Sequence, residues 1–350
     1  MTEDLDDAKQ SSNSIKIVSD GTIPFVELNN FKDNWDLWER SDIPVYFHIP
    51  KAGGSTIKDI IGSCHRLVMA AHMGIVDGHE DDMELSVVYP AIGPKGQDRT
   101  PFVNVDTETI EGIERAKKMG FANSGLADVV ITPFIYEVNN LFAPTAMGRF
   151  FTVFRHPIER AVSFFYYIQI ANWEDTYDPS LQSWTLEQYA SSDKMENNWL
   201  TRQLSQNHKG DLTEEDIKIA MEVLNRKFLV GLVSKMEKTL ERFEKFFNWI
   251  YHVNPENQEK CRSGLLENGS NSNKNKKDMP VEGSDLWGLF KAQNEFDLQL
   301  YQYIEILFDE QEQFVAHLKD GFRNVGATCC KCSPPTYPSG GYNCPVAILN

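Results

Sequence analysis

The sequence predicts a three-layer α/β fold, and three observations carry that expectation. Two strand–loop–helix units occur, around residues 45–61 and 149–168. Short apolar runs rich in β-branched and aromatic residues alternate with loops up to about residue 154. Beyond that point helical periodicity dominates. With 350 residues, the chain suits one large α/β domain or about two domains of roughly 150 residues. The expected organisation is an acidic, loosely ordered extension over 1–40, a main domain over 41–320 and a cysteine-rich tail over 321–350.

The elements follow in order. Trp35 and Trp38 close the extension and are expected to dock on the core. Val45-Tyr46-Phe47-His48-Ile49 reads as a buried strand. Pro50-Lys51-Ala52-Gly53-Gly54 is turn chemistry. Ser55 or Thr56 is then placed to cap a helix with Ile57, Ile60 and Ile61 on its inner face. Residues 62–126 read as short strands and loops, with 86–89 and 102–105 as the stronger strands. A further apolar run spans 128–135. Arg149 to Phe154 forms a strong strand, and a helix starting at Pro157 carries Ala161, Phe164, Phe165 and Ile168 on one face.

The second half reads as helical. Thr213 with Asp216, and Ser234 with Glu237, look like capping boxes. A third helix is expected from Ser284 through Ile304. Its apolar stripes are core-facing. Residues 267–279 form a low-complexity loop holding Lys274, Lys276 and Lys277.

Composition excludes several classes. There are 34 Lys and Arg against 51 Asp and Glu, a formal net charge of −17. A nucleic-acid backbone or an anionic membrane is therefore a poor partner, although a local basic pocket is compatible with that charge. No apolar run reaches the ~18 residues a membrane helix needs. The acidic start, residues 1–7, is not expected to act as a signal peptide. Of six cysteines, Cys64 and Cys261 stand alone. Cys329, Cys330, Cys332 and Cys344 crowd the tail, where a disulfide is a better reading than zinc because only one CxxC is present.

Two segments carry chemistry. In Pro50-Lys51-Ala52-Gly53-Gly54-Ser55-Thr56, two glycines let backbone N–H groups converge on an anion. The helix start, the two hydroxyls and the Lys51 ammonium add to the cradle. It is not a Walker A loop, because the lysine precedes the glycines. In the second, Arg149 to Ser163, Arg155 at the strand end can fork onto a phosphate, and Ser163 lies two helical turns on. A pairing of Arg155 with Glu159 is the competing reading.

Phe47-His48-Ile49-Pro50-Lys51-Ala52-Gly53-Gly54-Ser55 together with Phe154-Arg155-His156-Pro157-Ile158-Glu159-Arg160-Ala161-Val162-Ser163 resembles the Golgi carbohydrate sulfotransferases of the uronosyl and heparan sulfate 2-O-sulfotransferase type. The resemblance spans roughly residues 43–310 and rests on these two motifs. It implies a P-loop-like sulfotransferase fold with a central, mainly parallel sheet. It also implies 3′-phosphoadenosine 5′-phosphosulfate (PAPS) as sulfuryl donor, no metal, and a carbohydrate or small hydroxylated acceptor. Lys51, Ala52, Gly53, Gly54, Ser55 and Thr56 would hold the 5′-phosphosulfate, and Arg155 with Ser163 the 3′-phosphate. The family implies a membrane-anchored Golgi luminal protein; with no anchor in view, a cytoplasmic location is the alternative.

One departure concerns the base. The catalytic His-Gly-His stretch of the uronosyl enzymes corresponds here to residues 130–137, which lack histidine. Glu137, His72 and His79 are the candidates, while His48 inside the first strand reads as a satisfied core histidine. A homologue that binds PAPS without turning it over, and an ATP-dependent kinase, are the competing functions.

Overall fold

A computed structural model describes residues 28–91, 100–249, 255–268 and 279–316. Seven strands form one sheet: β1 (Ile43–Phe47), β2 (Met69–Ala70), β3 (Val87–Val88), β4 (Phe102–Val103), β5 (Val129–Thr132), β6 (Gly148–Phe154) and β7 (Phe228–Leu232). Their order is β3-β4-β2-β5-β1-β6-β7. All neighbours are parallel except β3 and β4. Central β1 pairs Val45 with Val130 on one side and with Phe150 on the other.

Strand parity builds the layers. Val45, Phe47, Phe150 and Phe228 face one side. There they pack on α2 (Ile110–Lys118), α5 (Trp199–Ser205), α6 (Glu214–Lys227) and α10 (Glu295–Glu310). Tyr46, Phe151 and Leu229 face the other side, against α1 (Gly54–Asp59), α7 (Met236–Phe246), α8 (Pro255–Asn268) and α11 (Gln313–Ala316). A third cluster joins α3 (Pro157–Ile168) to α4 (Leu186–Ala190) and α9 (Asp285–Gln293). The α/β expectation, with its mainly parallel sheet and helical C-terminal half, holds.

Several local expectations need correction. Gly53 in a left-handed conformation, not Ser55 or Thr56, is the N-cap of α1, and α1 continues into a π-helical turn, Ile60–Cys64. Residues 62–126 contain α2, capped by the Thr109 hydroxyl accepting from the Gly112 amide. The second half adds β7, whose residues Phe228–Leu232 are all buried. Helix α7 starts at Met236 because Val233–Lys235 form a 3-10 turn that takes up Ser234. The helix expected over 284–304 is two helices broken at Asn294, whose side-chain amide turns back to the Phe290 carbonyl at 2.9 Å.

Residues 28–40, expected to be loosely ordered, are pinned. Fully buried Arg149 on β6 pairs with Asp42 at 2.8 Å and donates to the carbonyls of Asp33, Asp36 and Leu37. Phe31 stacks on Phe150 at 3.8 Å between ring centres. Cys64 and Cys261 do not stand alone: they form a disulfide across a sequence separation of 197, tying α8 to the π-helical turn. The four tail cysteines and Lys274, Lys276 and Lys277 lie outside the described residues. Among the described residues no helix is long and apolar enough to cross a membrane.

Candidate functional site

In a doubly wound sheet, ligands bind beyond the carboxyl ends of the strands where the winding reverses. The chain leaves β1 toward β2 on one side and leaves β6 toward β7 on the other. The reversal therefore falls between β1 and β6. The two loops that open there are the two sequence motifs, at Lys51 and Arg155.

The first loop has a nest-like backbone. Lys51 and Gly53 are both left-handed, with φ of 66° and 81°, and α1 follows at once. Alternating hand turns successive amides toward one point, and the first amides of a helix have no internal partner. Close packing fixes the loop. A Cβ on Gly53 would stand 2.9 Å from the Met236 methyl, and one on Gly54 would run into the His48 ring. The glycines are thus required both for conformation and for space.

The second loop docks on the first. The Arg155 guanidinium donates to the Lys51 carbonyl at 3.4 Å and to Glu159 at 3.1 Å. The Glu159 pairing is present, but its carboxylate is half exposed, so an incoming phosphate can displace it at little cost. Glu159, Ser163 and Tyr167 recur every fourth residue along α3 and share one face. That face meets the Lys51 loop: the Lys51 ammonium lies 3.8 Å from the centre of the Tyr167 ring. Ser163 is half-buried. The other arginine of the motif is structural. Buried Arg160 binds Glu196 at 2.8 Å and lies over Trp199, which also stacks near Phe47.

The site has more positive charge than it has neutralised. Neither Lys51 nor half-buried Lys58 on α1 is in an ion pair among the described residues. Burial, reinforced by Arg155, lowers the Lys51 pKa, with Glu174 opposing. Burial, with the charges of Lys58 and Lys51 added, pushes the His48 pKa down to about 3. His48 is therefore neutral, and it is half-buried beneath the glycine loop rather than locked in the core.

The loops after β2 and β4 supply acid–base groups. His72 Nδ1 lies 3.4 Å from Asp106 Oδ2, with the imidazole more than half exposed and the carboxylate buried. Asp106 is held in turn by the Glu108 amide at 2.8 Å and the Thr109 hydroxyl at 2.7 Å. The carboxylate of Glu108 accepts the His72 backbone amide. Burial, with Asp106 beside it, raises the Glu108 pKa against the pull of Lys58.

The structure thus brings Lys51, Ala52, Gly53, Gly54, Ser55, Thr56, Arg155 and Ser163 to one crevice, and places His72 on the same sheet edge. Glu137 opens the 3-10 turn after β5 and is exposed. Sequence reasoning missed Lys58, Asp106 and Glu108. The run Asp106-Thr107-Glu108-Thr109 was the available signal, since its apolar predecessor ends a strand.

No protein-family model matches the chain, and no curated protein matches it. Among solved structures it is similar to the crystal structure of mouse sulfotransferase SULT7A1 complexed with PAP. That similarity has 16% identity and a TM-score of 0.34, and covers 78% of this chain and 86% of that one.

Proposed function

We propose that the protein transfers a sulfuryl group from PAPS to a hydroxyl, on a carbohydrate or a small hydroxylated acceptor. The observation that carries this reading is the joining of the two anion-binding loops at the winding reversal, where the Arg155 guanidinium bonds the Lys51 carbonyl. A donor with phosphate at both its 3′ and 5′ positions needs two cation sites side by side. Two lysines with no ion pair among the described residues supply the charge for the phosphosulfate end.

In this reading the Lys51 nest and the α1 amides hold the 5′-phosphosulfate, and Arg155 with Ser163 holds the 3′-phosphate. The acceptor oxygen attacks sulfur in line as the bond from sulfur to the 5′-phosphate oxygen breaks. Charge builds on that leaving oxygen, and Lys51 stabilises it. The acceptor proton passes to His72, whose free Nε2 is set by the Nδ1–Asp106 contact. β2 lies two strands from β1, about 10 Å at normal strand spacing, which leaves room for an acceptor between base and donor.

The Cys64–Cys261 disulfide supports an oxidising compartment, and we place the protein in the Golgi lumen. The test of function is transfer of ³⁵S from labelled PAPS to a panel of glycans and small alcohols. Transfer lost in Lys51→Ala and Arg155→Ala sustains the reading. PAP binding without transfer across a broad panel replaces it with a non-catalytic binding protein, and absence of PAP binding removes it.

A further inference from the structure

Beside Lys51 the chain displays an aromatic surface that donor binding does not use. The Trp173 residue is 71% exposed, and Ile170 and Tyr177, three and four residues away in the sequence, are 51% and 39% exposed. Clustered exposure of large apolar groups marks a binding surface. The Trp173 indole N–H donates to the Tyr167 hydroxyl at 3.3 Å, and the two rings meet edge to face. The Tyr167 hydroxyl donates to Glu174 at 2.5 Å, and this same Tyr167 ring carries the Lys51 ammonium. Trp173 is thus oriented through one intervening side chain from the lysine at the reacting end of the donor.

Apart from the Lys51 ammonium on Tyr167 and Lys194, which pairs with Asp178 at 3.0 Å, the charge in the segment around Trp173 is negative. Between Arg160 and Lys194 the sequence has no Lys or Arg, but has Glu174, Asp175, Asp178, Glu187 and Asp193. Burial and the Glu174 hydrogen bond lift the Tyr167 pKa to about 12, so its hydroxyl keeps its proton and the link to Glu174.

We propose that Trp173 is the acceptor platform and that the acceptor is an uncharged sugar. The inference rests on the donor reading above. The flat C–H face of a pyranose stacks on the indole, Glu174 and its neighbours accept hydroxyl hydrogen bonds, and the same carboxylates repel a sulfated or uronate-bearing chain.

The test is calorimetry on the full chain, first with PAP and then, on PAP-saturated protein, with two probes. The neutral probe is triacetylchitotriose and the anionic probe is a hyaluronan tetrasaccharide. The expected result is binding of the neutral probe, with the anionic one at least tenfold weaker. Trp173→Ala weakens the neutral probe tenfold or more while PAP affinity stays within twofold, and Glu174→Gln narrows the discrimination. The proposal is overturned if Trp173→Ala binds the neutral probe as wild type does, if the anionic probe is preferred, or if PAP-saturated protein binds neither. Failure of wild type to bind PAP overturns the donor reading and this inference together.

Discussion

The two wings of the sheet are built differently. On one side, β1, β6 and β7 are long and every residue of β6 and β7 is buried. On the other, β2, β3 and β4 have two residues each. The proposed donor loops spring from the long wing, where β6 and β7 pair over Phe150–Phe154. The acid–base groups spring from the short wing, where side-chain bonds to Asp106 replace ladder bonds as the source of order. The comparison suggests a division of labour. Anion binding needs a fixed backbone, whereas proton transfer needs a side chain of tuned basicity that meets a variable acceptor.

The largest test of that division is Lys51→Ala. Removing a cation aimed at charge that develops in the transition state costs about 10²–10³ in kcat. Stability should hold, because the half-buried lysine has no ion pair to break among the described residues. A loss below tenfold in the transfer assay would show that the long wing binds the donor without catalysing transfer.

Next in size is the short wing. His72→Ala is expected to lower kcat by about 10²-fold with PAP affinity unchanged, and added imidazole should restore part of the rate. Asp106→Asn keeps the geometry but weakens the orientation of His72, and a loss of roughly tenfold is expected. If Glu137→Gln is the variant that loses the rate instead, the base belongs to the loop after β5 and the division between the wings fails.

The same contrast explains what could be read from the sequence. The runs at 45–49 and 149–154 are long enough to declare buried strands, and glycines with a preceding lysine declare an anion loop. β2 has no such signal, because two residues show no periodicity and Met69 becomes a strand residue only by pairing with Phe102 and Val129, whereas β3 and β4 fall inside the expected runs 86–89 and 102–105. β7 was hidden because Phe228–Leu232 directly follows α6 without a turn residue. The arrangement of Asp106 and Glu108 around His72 joins positions more than thirty residues apart and depends on two short strands lying side by side. The Cys64–Cys261 bond, across the whole domain, was equally out of reach.

The smallest expected effect is the most discriminating, because it has opposite signs for stability and activity. Burial is the main cause of the raised Glu108 pKa. A carboxyl with a raised folded-state pKa favours the folded state most when it is protonated. The penalty is absent well below the ordinary value of 4.5, grows as pH rises through it, and is complete above the folded-state value. Glu108→Gln keeps the acceptor for the His72 amide and removes the buried charge. The variant is therefore expected to be more stable than wild type at neutral pH, with the gain shrinking as pH falls through the raised folded-state value and gone well below 4.5. Denaturant midpoints measured at several pH values would show this. Transfer activity should fall at the same time, since the negative charge beside His72 and Asp106 is lost. A variant that gains stability and keeps full activity would make Glu108 a bystander, and would narrow the acid–base wing to His72 and Asp106 alone.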